Sequence, residues 1–338
     1  MRKILSKLKF AVHIFKYLTF KKLLNICSVG LSYMFAAIGK NRIGKSLPYF
    51  LSVEVANYCN LQCPECPVGN TPISKTKKNN IDFDLYKKIV DEHKPTLIHL
   101  LLYFQGEPLL NKQLPELIKY AHNSGIFTST STNGQLLTKN NAKLIVQSGL
   151  EKLIVSIDGT TQETYEKYRV GGELDKALAG IQHVNFWKNE FKSITPIIEI
   201  QFLVLRTNEH QIGEMRRIAA ELDVDRLVFK SAQHYDFENG NERMTSISRF
   251  SRYKKTKIGT YRIKGSQPNR CFRLLSGGVI NAGGEVLPCC YDKMSEFSFG
   301  NIKESAYTDC YQNKKASGFR GSILRNRKQF QICRNCTG

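Results

Sequence analysis

From Ser52 onward, short runs rich in Val, Ile, Leu, Phe and Thr alternate with longer stretches whose apolar residues recur at helical spacing. That alternation is the pattern of βα units around a mostly parallel sheet. The strand-like runs are 52–56, 97–104, 126–131, 153–157, 197–205 and 226–229, and helices are expected near 84–92, 113–124, 138–148, 174–190 and 209–222. Six repeats predict an α/β fold, a partial (β/α)6 TIM-like barrel. Gly125 and Gly149 each follow a periodic segment and precede a strand, so both are expected in the left-handed conformation that closes a helix. Residues 236–268 are polar, with Asn239-Gly240-Asn241 and a basic run over 252–257, and read as a connecting segment. A small cysteine-bearing α+β domain follows, with a hairpin turning at Ala282-Gly283-Gly284. The expected organisation is a leader over 1–48, the barrel over 49–235, a linker over 236–268 and the C-terminal domain over 269–338.

The leader breaks the pattern. It mixes Leu, Ile and Phe with Lys at helix-like spacing. Its first fifty residues hold ten basic residues (Arg2, Lys3, Lys7, Lys9, Lys16, Lys21, Lys22, Lys40, Arg42 and Lys45), and the first acidic residue is Glu54. Lys16, Lys21 and Lys22 interrupt each apolar run before it nears the roughly 20 residues a spanning helix needs. No lysine-free core with a small-residue cleavage site marks a secretory signal. A basic amphipathic helix lying on an anionic membrane and a helix packing on the main domain both fit. The net charge is +21, from 50 Lys and Arg against 29 Asp and Glu, which favours an anionic partner. A nucleic-acid binder built on zinc or iron–sulfur modules is disfavoured, because nearly half the excess belongs to the leader and no basic strand flanked by aromatics resembles an RNA-binding module.

The ten cysteines are tightly clustered, which points to metal ligation in a reducing compartment and so to a cytoplasmic protein. Cys59, Cys63 and Cys66 share one loop directly after the first strand, at the strand end where barrel active sites form. Four-iron clusters normally take four cysteines, so three would leave one iron open to an outside ligand. A structural zinc would need a fourth ligand, and no cysteine lies between Cys66 and Cys271. In the tail, Cys271, Cys289, Cys333 and Cys336 suffice for one further 4Fe-4S cluster or for a zinc site. Cys290 and Cys310 are spare and able to replace an assigned ligand, and Cys27 reads as a buried thiol.

The spacing Cys59-x3-Cys63-x2-Cys66 after the first strand resembles the defining motif of the radical S-adenosylmethionine (radical SAM) superfamily. Other segments agree in order. Gln105-Gly106-Glu107-Pro108 is similar to the family's Gly-Gly-Glu-Pro element, which receives the methionyl ammonium of the cofactor, and the resemblance puts Glu107 at that contact. The third strand end, with Ser131 and Asn133, resembles the one that meets the cofactor's ribose and carboxylate. The fourth ends similarly in Ser156-Ile157-Asp158-Gly159. Just before the last cysteine the family usually packs an aromatic or apolar residue on adenine; here that residue is Glu65, leaving Leu61 or Ile157 for the contact. The tail resembles a shortened SPASM, or twitch, extension with one auxiliary 4Fe-4S cluster.

The resemblance implies reductive cleavage of S-adenosylmethionine to a 5′-deoxyadenosyl radical that takes a hydrogen from substrate, with electrons from a flavodoxin- or ferredoxin-type donor. An auxiliary cluster with no open iron would accept the remaining electron. The implied activity is an oxidoreductase making a net oxidation or crosslink in peptide or protein maturation. Arg169, after the fourth strand, is a candidate clamp for an anionic substrate or a cofactor carboxylate, with a solvated arginine as the alternative. The basic leader motivates a second reading, modification of a sugar or lipid-linked cell-envelope precursor at the inner membrane face.

Overall fold

The computed structural model describes residues 13–40, 46–70 and 78–336. Helix α1 (Phe20–Ala37) comes first, its N-terminus capped by the Thr19 side chain. Strand β1 (Phe50–Val53) leads into the short helix α2 (Pro67–Asn70) and then α3 (Phe83–His93). Four further units follow: β2 (His99–Leu101) with α4 (Leu114–Asn123), β3 (Phe127–Thr132) with α5 (Lys139–Gln147), β4 (Lys152–Ser156) with α6 (Gln162–Glu166) and α7 (Leu174–Glu190), and β5 (Ile197–Val204) with α8 (Ile212–Glu221). The series ends in β6 (Arg226–Ser231). Each of these strands pairs in parallel with its predecessor, as the alternation predicts. Gly125 and Gly149 have φ of 70° and 80°, the left-handed helix stops expected of them.

Within the polar segment read as connecting lies a hairpin, β7 (Tyr253–Lys255) and β8 (Tyr261–Ile263). Phe237, Met244, Tyr253 and Ile263 form a small core there. Lys254, Lys255 and Arg262 interrupt its apolar residues, so no periodicity shows in the sequence. After α9 (Arg273–Ser276), β9 (Gly277–Ile280) and β10 (Glu285–Leu287) make the hairpin expected at 282–284, followed by β11 (Gly300–Asn301), α10 (Tyr307–Gln312), α11 (Lys314–Asn326) and α12 (Gln331–Arg334).

β9 pairs in parallel with β1, Phe50 opposite Gly277 and Val53 opposite Ile280. One nine-stranded sheet therefore runs β11-β10-β9-β1-β2-β3-β4-β5-β6. It ends at β6 and β11 without closing, which makes it a partial barrel. This continuity places the C-terminal domain beside β1, the strand that leads into the first cysteine loop.

The opposite end of the barrel is sealed by the leader. The Tyr17 ring packs edge-on against Phe127 at 5.8 Å, and its hydroxyl donates to Glu151 just before β4. Lys22 Nζ donates to the Gly125 carbonyl at 2.6 Å, and Asn25 brackets Leu47, donating to its carbonyl at 2.8 Å and accepting from its N–H at 3.0 Å. Helix α1 is thus turned polar side in: Lys22, Asn25, Val29 and Ser32 are buried, while Phe20, Leu23, Leu24, Leu31, Met34 and Ile38 face outward. Cys27 lies on the outward stripe and is exposed, correcting its expected burial. The helix attaches through hydrogen bonds to loop carbonyls, which an apolar face cannot make.

Candidate functional site

The loop after β1 owes its shape to two close backbone approaches. A Cβ on Gly106 would fall 2.2 Å from the Ala56 carbonyl oxygen and 2.6 Å from that of Tyr58, and a Cβ on Gly69 would fall 2.6 Å from the Cys63 nitrogen. Only glycine lets the 105–107 turn and α2 lie this close to the loop. Cys59, Cys63 and Cys66 gather with Leu61, Tyr168, Leu205 and Ala232 in an apolar group separate from the main core. Burial pushes the Cys59 thiol up to about 12, with smaller contributions from Glu107, Cys63 and Cys66. Burial also raises Cys63, against the opposing charge of Arg169. Thiolates here need cationic compensation, which a bound metal cluster supplies. Donors already approach the sulfurs: Asn133 Nδ2 and the Leu61 N–H at 3.7 and 3.4 Å from Cys59 Sγ, and Arg169 Nη1 at 3.8 Å from Cys63 Sγ. Three thiols on one loop, flanked by such donors, fit an iron–sulfur cluster.

The residues expected around the cofactor converge beside this loop. The Glu107 carboxylate accepts from Leu109 N–H and Thr132 Oγ1 through Oε1, and from Asn133 N–H through Oε2. Of its four acceptor positions, one on Oε2 remains. Pro108 opens a short 3-10 turn that begins at this carboxylate. Asn133 also donates to Asn60 Oδ1 at 2.9 Å, tying the third strand end to the cysteine loop. Asp158 accepts from Arg169 Nε and Leu203 N–H, both at 2.6 Å. Arg169 is therefore not solvated: one edge of its guanidinium is committed to Asp158 while Nη1 faces Cys63. Ser131 is buried and Ser156 half-buried at their strand ends. Of the two residues expected against adenine, Leu61 lies in the group around the cysteines, whereas Ile157 is in the main core.

Glu65 points elsewhere. It accepts from Asn241 Nδ2 and pairs with His234 Nδ1, each at 3.2 Å. Burial opposes its ionisation, but these partners hold it below the ordinary carboxylate range. The His234 carbonyl accepts from Asn335 Nδ2 at 2.6 Å, and Tyr253 donates to Asn335 Oδ1 at 2.8 Å. A hydrogen-bonded bridge therefore joins Glu65, just before Cys66, to Asn335, just before Cys336. Sequence reasoning missed it, because partners 169 and 176 residues apart leave no local signal.

In the tail, Cys271, Cys289, Cys333 and Cys336 come within mutual electrostatic reach. Burial raises Cys289 far above the usual thiol value and Cys333 to about 11, with neighbouring cysteines adding to each shift. Arg327 donates to Cys336 Sγ at 3.1 Å, and Gln267 Nε2 gathers the carbonyls of Cys333, Arg334 and Cys336. Of the two spare cysteines, Cys290 stands at the edge of this group, adding more to the Cys289 shift than Cys271 or Cys333 does, whereas Cys310 lies apart. Cys290 meets Arg273 at 3.0 Å beside Phe104, Val279 and Leu287, and Cys310 is buried against Gly300 with Ser305 Oγ at 3.1 Å. Among the described residues, no three His, Cys, Asp or Glu side chains stand as a ready-made site for a single metal ion.

Between the two cysteine loops lies a cavity of about 670 Å3. Its walls include Pro67 and Asn70 after the first loop, Tyr291 and Met294 after Cys290, and Ile332 and Asn335 beside the last two cysteines. Asp236, Glu238 and Glu296 give it an acidic side, with Lys293 and Arg334 as counter-charges.

The family model of the radical SAM superfamily matches residues 53–185, and that of the SPASM iron–sulfur cluster-binding domain matches 271–337. A tungsten-containing aldehyde ferredoxin oxidoreductase cofactor-modifying protein of Pyrococcus furiosus is 23% identical over 327 residues, covering 85% of this chain and 87% of that protein. PqqA peptide cyclase of Bradyrhizobium diazoefficiens is 24% identical over 306 residues, covering 82% and 76%. The structure of Streptococcus suis SuiB bound to S-adenosylmethionine superposes with a TM-score of 0.61 at 16% identity, covering 81% of this chain and 68% of that one, a likeness of fold. Two cysteine-bearing regions, each matched by its own family model and brought together by one sheet, make the chain a member of the radical SAM superfamily with a C-terminal SPASM domain, an enzyme class that uses a 4Fe-4S cluster, S-adenosylmethionine and auxiliary iron–sulfur ligation.

Proposed function

We propose that this protein is an oxidoreductase that removes a hydrogen atom from a peptide or protein side chain. Cys59, Cys63 and Cys66 hold the cluster that meets S-adenosylmethionine, and Cys271, Cys289, Cys333 and Cys336 hold one auxiliary cluster. The observation that carries this reading is the cavity walled by both cysteine loops, because a substrate there lies between the site of hydrogen abstraction and a site able to take the second electron. When bound, the reduced first cluster and S-adenosylmethionine supply the 5′-deoxyadenosyl radical.

The chain binds and orients. The remaining acceptor position of Glu107 receives the cofactor's ammonium, the turn at Gly106 and Pro108 brings that carboxylate against the cysteine loop, and Ser131, Asn133 and Ser156 present polar groups at the strand ends. Asp158 acts on this site through Arg169, fixing the guanidinium that neutralises charge at Cys63. Leu61, Tyr168, Leu205 and Ala232 exclude water. Asp236, Glu238 and Glu296 favour a substrate segment bearing a cation. The net change is loss of two protons and two electrons from the substrate; an auxiliary cluster held by these four cysteines would supply an acceptor for the second electron, and the second proton would pass to solvent. A flavodoxin- or ferredoxin-type donor reduces the protein in the cytoplasm, where its cysteines stay reduced.

The test is to give the anaerobically reconstituted protein S-adenosylmethionine, dithionite, and either lysine-containing peptides or aminosugars. Peptide lighter by two hydrogens, formed with stoichiometric 5′-deoxyadenosine, supports the reading. Turnover of aminosugars alone would favour the second reading, a free or lipid-linked sugar, which the cavity's volume also accommodates.

A further inference from the structure

We infer that α1 is a docking helix that seats the protein on an anionic lipid surface and turns the cavity away from it. Phe20, Leu23, Leu24, Cys27, Leu31, Met34 and Ile38 recur at intervals of three and four residues, so they share one face, and that face is exposed, Phe20 by 75%, Met34 by 65% and Ile38 by 66%. Phe15 continues the patch at 69% exposure. The outward direction is fixed, because Lys22 and Asn25 anchor the other face to Gly125 and Leu47. Rotating the helix to bury the stripe would break these bonds.

Charge identifies the occupant. Exposed Lys16, Lys21 and Lys40 flank the stripe, and residues 1–53 contain no acidic side chain. A second copy pairing through this face would bring the same positive charge and nothing to neutralise it. An anionic lipid surface supplies both head groups for the lysines and an apolar layer for the stripe. No described helix is long and apolar enough to cross a membrane, so α1 lies in the plane of the interface.

Position gives the orientation. Helix α1 lies along the N-terminal strand ends, bonded to Leu47 before β1 and Gly125 before β3, with its Tyr33 ring against Phe272 before β9. The first cysteine loop lies past the C-terminal end of β1, and the cavity is walled by Pro67, Asn70 and Gln233, which follow β1 and β6. A docked molecule therefore opens its cavity toward solvent, which suits a soluble peptide better than a head group still anchored in the same bilayer. The inference stands apart from the catalytic reading, since lipid binding and S-adenosylmethionine cleavage are read separately.

The test is co-sedimentation of the full-length protein with phosphatidylcholine vesicles, with and without phosphatidylglycerol, at low and raised salt. Wild type is expected to pellet with the phosphatidylglycerol vesicles and to be released by salt. Both Leu24→Glu/Leu31→Glu and the uncharged Leu24→Gln/Leu31→Gln are expected to bind roughly tenfold or more weakly, with melting temperature and S-adenosylmethionine cleavage unchanged. Failure of wild type to bind vesicles, equal binding by the variants, or a vesicle-free dimer that the substitutions dissociate would overturn the inference.

Discussion

The two ends of the same strands are built on opposite terms. At the N-terminal ends charged side chains are paired internally. Glu199 on β5 sits between Lys152 at 2.9 Å and Arg226 at 3.3 Å, and His99 lies between the rings of Phe50 and Phe127, where burial lowers its pKa to about 3 and keeps it neutral. At the C-terminal ends capacity is left over. Glu107 keeps an acceptor position, and Asn133 and Arg169 approach cysteine sulfurs. One end is closed for stability, and the other retains the polar valence that a ligand would fill.

Substitutions should separate the two ends. The largest effect is expected from Cys63→Ala, which should reduce 5′-deoxyadenosine formation to background while leaving the melting temperature near wild type, because the thiol joins only a small apolar group. Glu199→Ala should do the reverse. It removes the buried carboxylate between Lys152 and Arg226 and should cost about 1–3 kcal/mol in denaturant unfolding, with cleavage per folded molecule retained. Gly106→Ala should push the 105–107 turn off the cysteine loop, costing about 1–3 kcal/mol and raising KM for S-adenosylmethionine more than it lowers kcat.

The smallest effect concerns Glu54, which accepts from the Ala282 N–H and so ties β1 to the tail hairpin. Burial raises its pKa from 4.5 to about 7, against the donors of Ala282 and Gln105. A folded-state value above the unfolded one means stability that is full below about pH 4.5 and lost as pH rises through about 7, at most about 3 kcal/mol. Melting measured from about pH 5 to 8 should show this loss in wild type and a flatter profile in Glu54→Gln.

What could be read from the sequence was local. Val, Ile and Leu runs located the six parallel strands, glycines located the helix stops at 125 and 149, and cysteine spacing located both loops. What escaped was set by distant partners. β3 reads Phe-Thr-Ser-Thr-Ser-Thr and is buried throughout, its hydroxyls engaged by residues such as Leu102 and Glu107. The pairing of β9 with β1 joins segments more than 200 residues apart, and Glu65 meets a His234 that lies 169 residues further along. Cys27 was misread because apolar neighbours at helical spacing ordinarily mark an inward face, and here the lysine and asparagine between them are what attach the helix.

In the proposed function, two iron–sulfur clusters held by different ends of the chain flank one cavity. The most direct measurement is iron and sulfide per chain after anaerobic reconstitution of wild type, a Cys59/Cys63/Cys66→Ala variant and a Cys271/Cys289/Cys333/Cys336→Ala variant, each also assayed for S-adenosylmethionine cleavage. Wild type is expected to hold about eight irons and each variant about four, with cleavage lost when the first loop is removed. Four irons in wild type, or zinc in place of iron at the tail, would contradict the proposed function.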